Sequence, residues 1–353
     1  MTGKRLVVNI GMHKTGSSAI QQSLKSWARG HGAYLNLGPP NHSAIFATMF
    51  MAAPETYGAH RKNNRSTEEV HDLRDKYVRR MHKAVAALPG AETLLASAED
   101  MVLMDAAALT ALRDWAEATF DDIRLIGYVR PPVSFMTSSL QQRVAGGVPW
   151  TFRRLYPGYR DKFEKFDQVF GRDRVTLVKF DRTTLHQGDV VLDFTHRAGV
   201  AFDKADVVSA NESRSLETTA ALQAQRVLGR GWLNYAGSPR HNNALVTALR
   251  GLGRRRIVLH PDTVNAIVAE HQADLDWITA RLGTDFVDAP APDAASAPDV
   301  IRSEDDFLAI AAGQLPQILD LIRAEAGARQ VDPQIVANAV DMLLDLIRAR
   351  PAS

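Results

Sequence analysis

Near its start the chain runs LVVNI, residues 6–10, straight into GMHKTGSSAIQ, residues 11–21. The first stretch is apolar without alternation, as a strand covered on both faces should be. The second carries two glycines and then a helical pattern in which Ile20, Leu24, Trp27 and Ala28 share one face. Strand, glycine-bearing loop and helix form half of a βαβ unit, and such a unit needs parallel neighbours. Three more short apolar runs supply them, at 93–96, 123–129 and 175–180. Leu109, Leu112, Ala116 and Phe120 make a helical face before the third run, with Asp105 as its N-cap. Alternation of this kind predicts an α/β fold of the P-loop-like, three-layer type, with a central parallel sheet between helices.

Two stretches break the rhythm. Residues 38–72 include GPPNHSAIF and HRKNNRSTEE, rich in turn formers, and predict an insertion running over the surface at the mouth of the site. DAPAPDAASAPD, residues 288–299, has a linker's composition. The expected organisation is an α/β domain over 1–287, a linker over 288–299 and a helical C-terminal extension over 300–353. Apolar periodicity at 307–322 and 335–347 makes that extension a hairpin, suited to packing or to homo-oligomer contacts. Eleven acids against five arginines give residues 288–353 a charge of −6, so the remainder carries +8 within a total of +2. A basic body suits anionic ligands.

The chain has no cysteine, which excludes disulfides and thiolate metal sites. The opening apolar run is too short for a signal-peptide core, and no stretch reaches membrane-spanning length. These features predict a cytoplasmic protein with no transmembrane segment. The histidines at 13, 31, 42, 60, 71 and 82 lack the spacing of a shared helix-face site, so no metal is expected. No basic motif is interleaved with aromatics as in nucleic-acid binders. Arg254, Arg255 and Arg256 could meet a polyanion, although such runs are more often solvated helix ends.

A loop at a helix N-terminus is a ready anion site, because unpaired N–H groups and the helix dipole both favour negative charge. Thr15, Ser17 and Ser18 add hydroxyls and Lys14 a full charge. The order GMHKTGSS is not GxxxxGK[ST], in which lysine follows the glycine and a hydroxyl meets Mg²⁺. A metal-dependent nucleotide kinase therefore lacks its loop here. The other reading to weigh is a non-catalytic nucleotide-binding scaffold.

KTGSSAIQ, residues 14–21, resembles the 5′-phosphosulfate loop of the sulfotransferase superfamily, whose members use 3′-phosphoadenosine 5′-phosphosulfate (PAPS). That resemblance implies a second motif, R-x-P with a serine eight residues after the arginine. IGYVRPPVSFMTSS supplies Arg130, Pro132 and Ser138 at the end of the third apolar run. PGYRDKFEKFDQVFGRDRVTLVKFD, residues 157–181, resembles the family's following segment, and residues 211–230 continue it as a helix. The resemblance implies that Lys14, Thr15, Gly16, Ser17 and Ser18 hold the donor's 5′ end. Arg130 and Ser138 would hold its 3′-phosphate.

Sulfuryl transfer also needs a proton acceptor for the incoming hydroxyl. Glu99, in TLLASAEDM just past the second apolar run, is the expected base, since ligand-facing residues follow strand ends in parallel sheets. The stretch resembles the SSE-type segment of the glycan-modifying branch, which implies a carbohydrate or glycoconjugate hydroxyl as acceptor. Asp100 and His13 are its rivals.

Overall fold

The computed structural model describes residues 3–87, 92–208, 213–228, 239–288 and 300–327. Six strands form one sheet: β1 (Arg5–Asn9), β2 (Ala28–Arg29), β3 (Gly32–Tyr34), β4 (Thr93–Ser97), β5 (Asp122–Val129) and β6 (Val175–Lys179), in the order β2-β3-β4-β1-β5-β6. All neighbours are parallel except β2 and β3. The four strands read from apolar runs are present, displaced by no more than one residue at either end. The fold is α/β with a mostly parallel central sheet.

The sheet is buried because its strands carry apolar groups on both faces. One face sets Val7, Leu95, Ile126 and Tyr128 against helix Ser17–Leu24 and helix Val190–Arg197. On the other, a side chain at Gly127 would strike Leu177, Ile10 and Phe163. That second layer holds helix Ala106–Glu117 against helix Tyr159–Phe170, whose Phe163, Phe166 and Phe170 are buried. Each such phenylalanine contributes about 1.5–3 kcal/mol.

Sequence periodicity misses β2 and β3, which together span five residues. Arg29 pairs with Gly32, leaving a two-residue turn at Gly30 and His31. Gly30 has φ 58, which glycine alone adopts at little cost. The expected surface excursion over 38–72 is corrected. Its center is helix Ser43–Phe50, with seven of its eight residues buried against helix Thr67–Ala86 and helix Ala106–Glu117. SAIFATMF is too apolar to lie on a surface, so it packs, while the polar run HRKNNRSTEE is largely exposed and joins helix Gly58–Lys62 to helix Thr67–Ala86.

Contacts divide the chain into two compact units. The first comprises Met1–Pro131, Gly158–Asn211 and Gln272–Val287 and contains the sheet. The second comprises Pro132–Pro157, Glu212–His271 and Asp288–Ser353. Val300–Ile301 pairs in parallel with Val258–Leu259, and helix Glu304–Ala312 packs on helix Leu216–Leu228 with Phe307 fully buried. The 307–322 segment is two helices, Glu304–Ala312 and Leu315–Gly327. The linker residues 289–299 and the apolar segment 335–347 lie outside the described residues.

Within the first unit, Asp193 ties helix Val190–Arg197 to the sheet. Its buried carboxylate accepts hydrogen bonds from Tyr128 Oη at 2.8 Å, His186 N at 3.0 Å and Arg197 Nε at 2.6 Å. Burial disfavours its charge, but these donors outweigh that and hold its pKa below the usual value. A lowered folded pKa gives stability that is complete above the unfolded value, about 3.9, and fades as pH falls through the folded one. Asp193→Asn should therefore cost about 2–3 kcal/mol in urea unfolding at pH 7. The gap from wild type should narrow below about pH 3.9.

Candidate functional site

β1 and β4 end at the paired residues Asn9 and Ser97, while β5 runs three residues past Ile126, the partner of Asn9, so that Met12 N in the loop after β1 still donates to Tyr128 O. A buried network sets their positions. Asn9 Nδ2 donates to Ser97 Oγ at 2.9 Å, Gln21 Nε2 donates to the same oxygen at 3.2 Å, and Gly11 N donates to Asn9 Oδ1. Strand end, loop and helix are thus joined through one serine hydroxyl.

Helix Ser17–Leu24 starts at Gly16, which adopts φ 87 and ψ 10 and provides no side-chain cap; no acid lies in the first turn. Four other helix starts are treated otherwise. Asp288 carboxylate oxygens accept from Val133 N and Ser134 N at 2.8 and 2.7 Å. Asp274 does the same for Tyr159 N and Arg160 N, Asp189 for Val191 N, and Asp105 for Ala108 N. Those N-termini already hold carboxylates. The Ser17–Leu24 terminus is left for another anion, its first N–H groups lacking intrahelical acceptors.

The predicted loop residues gather here in different ways. Thr15 is fully buried and its hydroxyl donates to Met12 O at 2.6 Å, so it braces the loop instead of donating to a ligand as expected. Ser17 is buried, and its Oγ has no well-formed hydrogen bond; a side chain on Gly11 would meet that oxygen at 2.8 Å and Glu99 Cβ at 3.2 Å. Ser17 Oγ and Glu99 therefore flank the same glycine. Ser18 is partly exposed. Lys14 sits at φ 69, a left-handed conformation costly for a lysine, and its carbonyl accepts from Arg130 Nη1 at 3.1 Å.

That bond joins the two motifs. Arg130 lies over the Phe180 ring at 5.5 Å, and its carbonyl accepts from Tyr159 Oη at 2.6 Å. The Gly-Tyr after the second motif is explained: buried Tyr159 fixes the backbone that presents Arg130. Ser138 lies in the other compact unit, half-buried on the second turn of helix Pro132–Gly146.

Glu99 opens a 3₁₀ turn, Glu99–Leu103, directly after β4. Burial pushes its pKa up, partly offset by positive charge at His13, by Ser17 and by Lys14. Asn41 Nδ2 donates to its Oε1 at 3.2 Å. Asp100 does not stand free as a competing base: its Oδ1 is 2.7 Å from His13 Nε2, and its Oδ2 accepts from Tyr57 Oη. The backbone N of Asp100 donates to Ser43 Oγ. Asn41, Ser43 and Tyr57 were missed by the sequence reading, because they come from the stretch read as a surface excursion. The polar turn NHS ahead of an apolar helix was the available signal. The far end of the Glu99–Leu103 turn lines a cleft of about 570 Å³ with Leu103, Lys162 and Lys165 among its walls. Among the described residues no cluster of three or more His, Asp or Glu side chains is arranged for a metal, and no helix is long and apolar enough to cross a membrane.

No family model matches the chain, and no curated protein matches it. Among solved structures it is similar to a sulfotransferase from Alicyclobacillus acidocaldarius, at 14% identity over 79% of this chain and 96% of that one, with a TM-score of 0.45. It is also similar to the sulfotransferase domain of the Synechococcus PCC 7002 olefin synthase, at 16% identity over 76% and 94%, with a TM-score of 0.33.

A Cβ at Gly16 would come within 2.5 Å of Val190 Cγ1, and the backbone there is left-handed. Gly16→Ala should cost at least about 1–2 kcal/mol in denaturant unfolding. Adding Val190→Ala should return part of that loss, so that the double variant is more stable than the sum of the single effects.

Proposed function

We propose that this chain is a PAPS-dependent sulfotransferase acting on a hydroxyl, with a carbohydrate or glycoconjugate as acceptor. The observation that carries the reading is the hydrogen bond from Arg130 to the Lys14 carbonyl beside an uncapped helix N-terminus. It brings a cation and a phosphate-type loop together at one sheet edge, as a ligand with two anionic ends requires. The residues fit such a donor: no acid occupies the first turn of helix Ser17–Leu24, and Gly16 leaves its N–H groups open to approach.

PAPS supplies the sulfuryl group, which forms a bond to the acceptor oxygen as its bond to the 5′-phosphate oxygen breaks. Most of the protein's task is then positioning and charge stabilisation. Lys14, with the N–H groups of Ser17 and Ser18, stabilises the charge that builds on the leaving 5′-phosphate. Arg130 holds the 3′-phosphate, and Ser138 keeps the role given by its spacing from Arg130. Glu99 takes the acceptor's proton. Its raised pKa strengthens it as a base. The cleft beyond the Glu99–Leu103 turn has the mixed polar and apolar lining that a sugar ring needs, and it supports a carbohydrate acceptor.

Transfer of labelled sulfate from PAPS to a panel of sugars and glycoconjugates tests the reading. Glu99→Gln should lower turnover by about 10²–10⁴-fold with donor affinity near normal. Lys14→Ala should lower turnover by about 10²-fold or more. Arg130→Ala should bring the affinities for adenosine 3′,5′-bisphosphate and adenosine 5′-phosphate closer together in calorimetry. An unchanged affinity ratio would remove Arg130 from the 3′-phosphate.

A further inference from the structure

His13, in the loop after β1, has a built hydrogen-bond chain behind it. Its Nε2 meets Asp100 Oδ1 at 2.7 Å, and Asp100 Oδ2 is held in turn by the Tyr57 hydroxyl. Asp100 is fixed from a third side, its N–H donating to Ser43 Oγ at 3.1 Å. The clamp is assembled from three separate parts of the chain: the loop after β1, the turn after β4 and the stretch between β3 and β4. It stands beside Glu99, which precedes Asp100 in the chain and whose Cβ would lie 3.2 Å from a side chain on Gly11, two residues before His13.

We propose that His13 is a positioning residue whose positive charge, fixed by Asp100 and Tyr57, keeps the buried Glu99 carboxylate ionised and oriented toward the acceptor. This rests on the reading of Glu99 as the base. The problem solved is physical: a carboxylate shielded from water tends to take up a proton, and a protonated Glu99 cannot abstract one. A cation beside it offsets that tendency without using Lys14, whose charge is needed at the leaving phosphate.

The charged groups facing His13 fit the role. Asp100, by its hydrogen bond, raises the His13 pKa against the opposing effect of burial; Glu99 adds to the rise, and Lys14 lowers it. Asp100 itself stays ionised: burial acts against its charge, but His13 and Tyr57 hold its pKa below the usual value. Tyr57 keeps its proton, with its pKa raised by burial and by Asp100. The clamp thus favours an imidazolium-carboxylate pair backed by a phenol. For Glu99 the sign is definite: a neighbouring positive charge lowers the carboxyl pKa, so removing it moves the acid limb of activity to higher pH.

The test is a ¹³C NMR titration of the Glu99 carboxyl and the His13 ring in the full, unliganded chain. His13→Gln should raise the Glu99 midpoint by about one pH unit. His13→Lys, which restores the charge, should bring it back toward wild type. Asp100→Asn should lower the His13 midpoint, and it carries the test should His13→Gln fail to fold. A Glu99 midpoint unmoved in His13→Gln overturns the proposal. In sulfate transfer, the acid limb of kcat/KM should move with that midpoint; its disappearance in His13→Gln would make His13 the base and overturn the proposal too. The NMR shift without any sulfate transfer would support the clamp and defeat the proposed activity instead.

Discussion

A helix N-terminus with no carboxylate on it is the constraint around which the first unit is arranged. Four other helix starts carry an aspartate on their N–H groups, from Asp105, Asp189, Asp274 or Asp288. Helix Ser17–Leu24 has a glycine in a left-handed conformation in that place. The surrounding interactions preserve this opening. Ser97 Oγ ties the strand end to the helix, Thr15 closes the loop on Met12, and Arg130 holds a lysine carbonyl in a conformation that costs about 1 kcal/mol or more. An anion at that terminus would recover what the aspartates supply elsewhere.

The electrostatics of the neighbouring turn follow from where β4 stops. Glu99 and Asp100 are adjacent in the chain but meet different surroundings. Asp100 accepts from a phenol and an imidazole and is held ionised; Glu99 is shielded from water and is drawn toward its neutral form. Two carboxylates one residue apart are thereby pushed in opposite directions. A base of raised pKa beside a fixed ion pair is a common arrangement of catalytic acids and bases.

Much of the sheet was legible because buried parallel strands are written as uninterrupted apolar runs, and four of them stood out. β2 and β3 were not, since five residues carry no period and only the glycine at the turn marks them. The stretch 38–72 was misread for a related reason: its turn formers are conspicuous and its buried helix is only eight residues long. That error hid Asn41, Ser43 and Tyr57. The positions of Lys14, Glu99 and Arg130 in the fold were legible because each follows a strand whose end could be located. The bond from the Thr15 hydroxyl to Met12 O was not legible, because a sequence gives the presence of a hydroxyl and not the carbonyl it faces. The position of the second unit's segments was equally hidden, since Phe307 finds its partners on a helix some eighty residues earlier.

The most direct measurement is a crystal structure with adenosine 3′,5′-bisphosphate bound. The account predicts its 5′-phosphate on the N–H groups of Ser17 and Ser18 beside Lys14, and its 3′-phosphate on Arg130. A bisphosphate bound at another place, or bound here with its two phosphates exchanged, would contradict it.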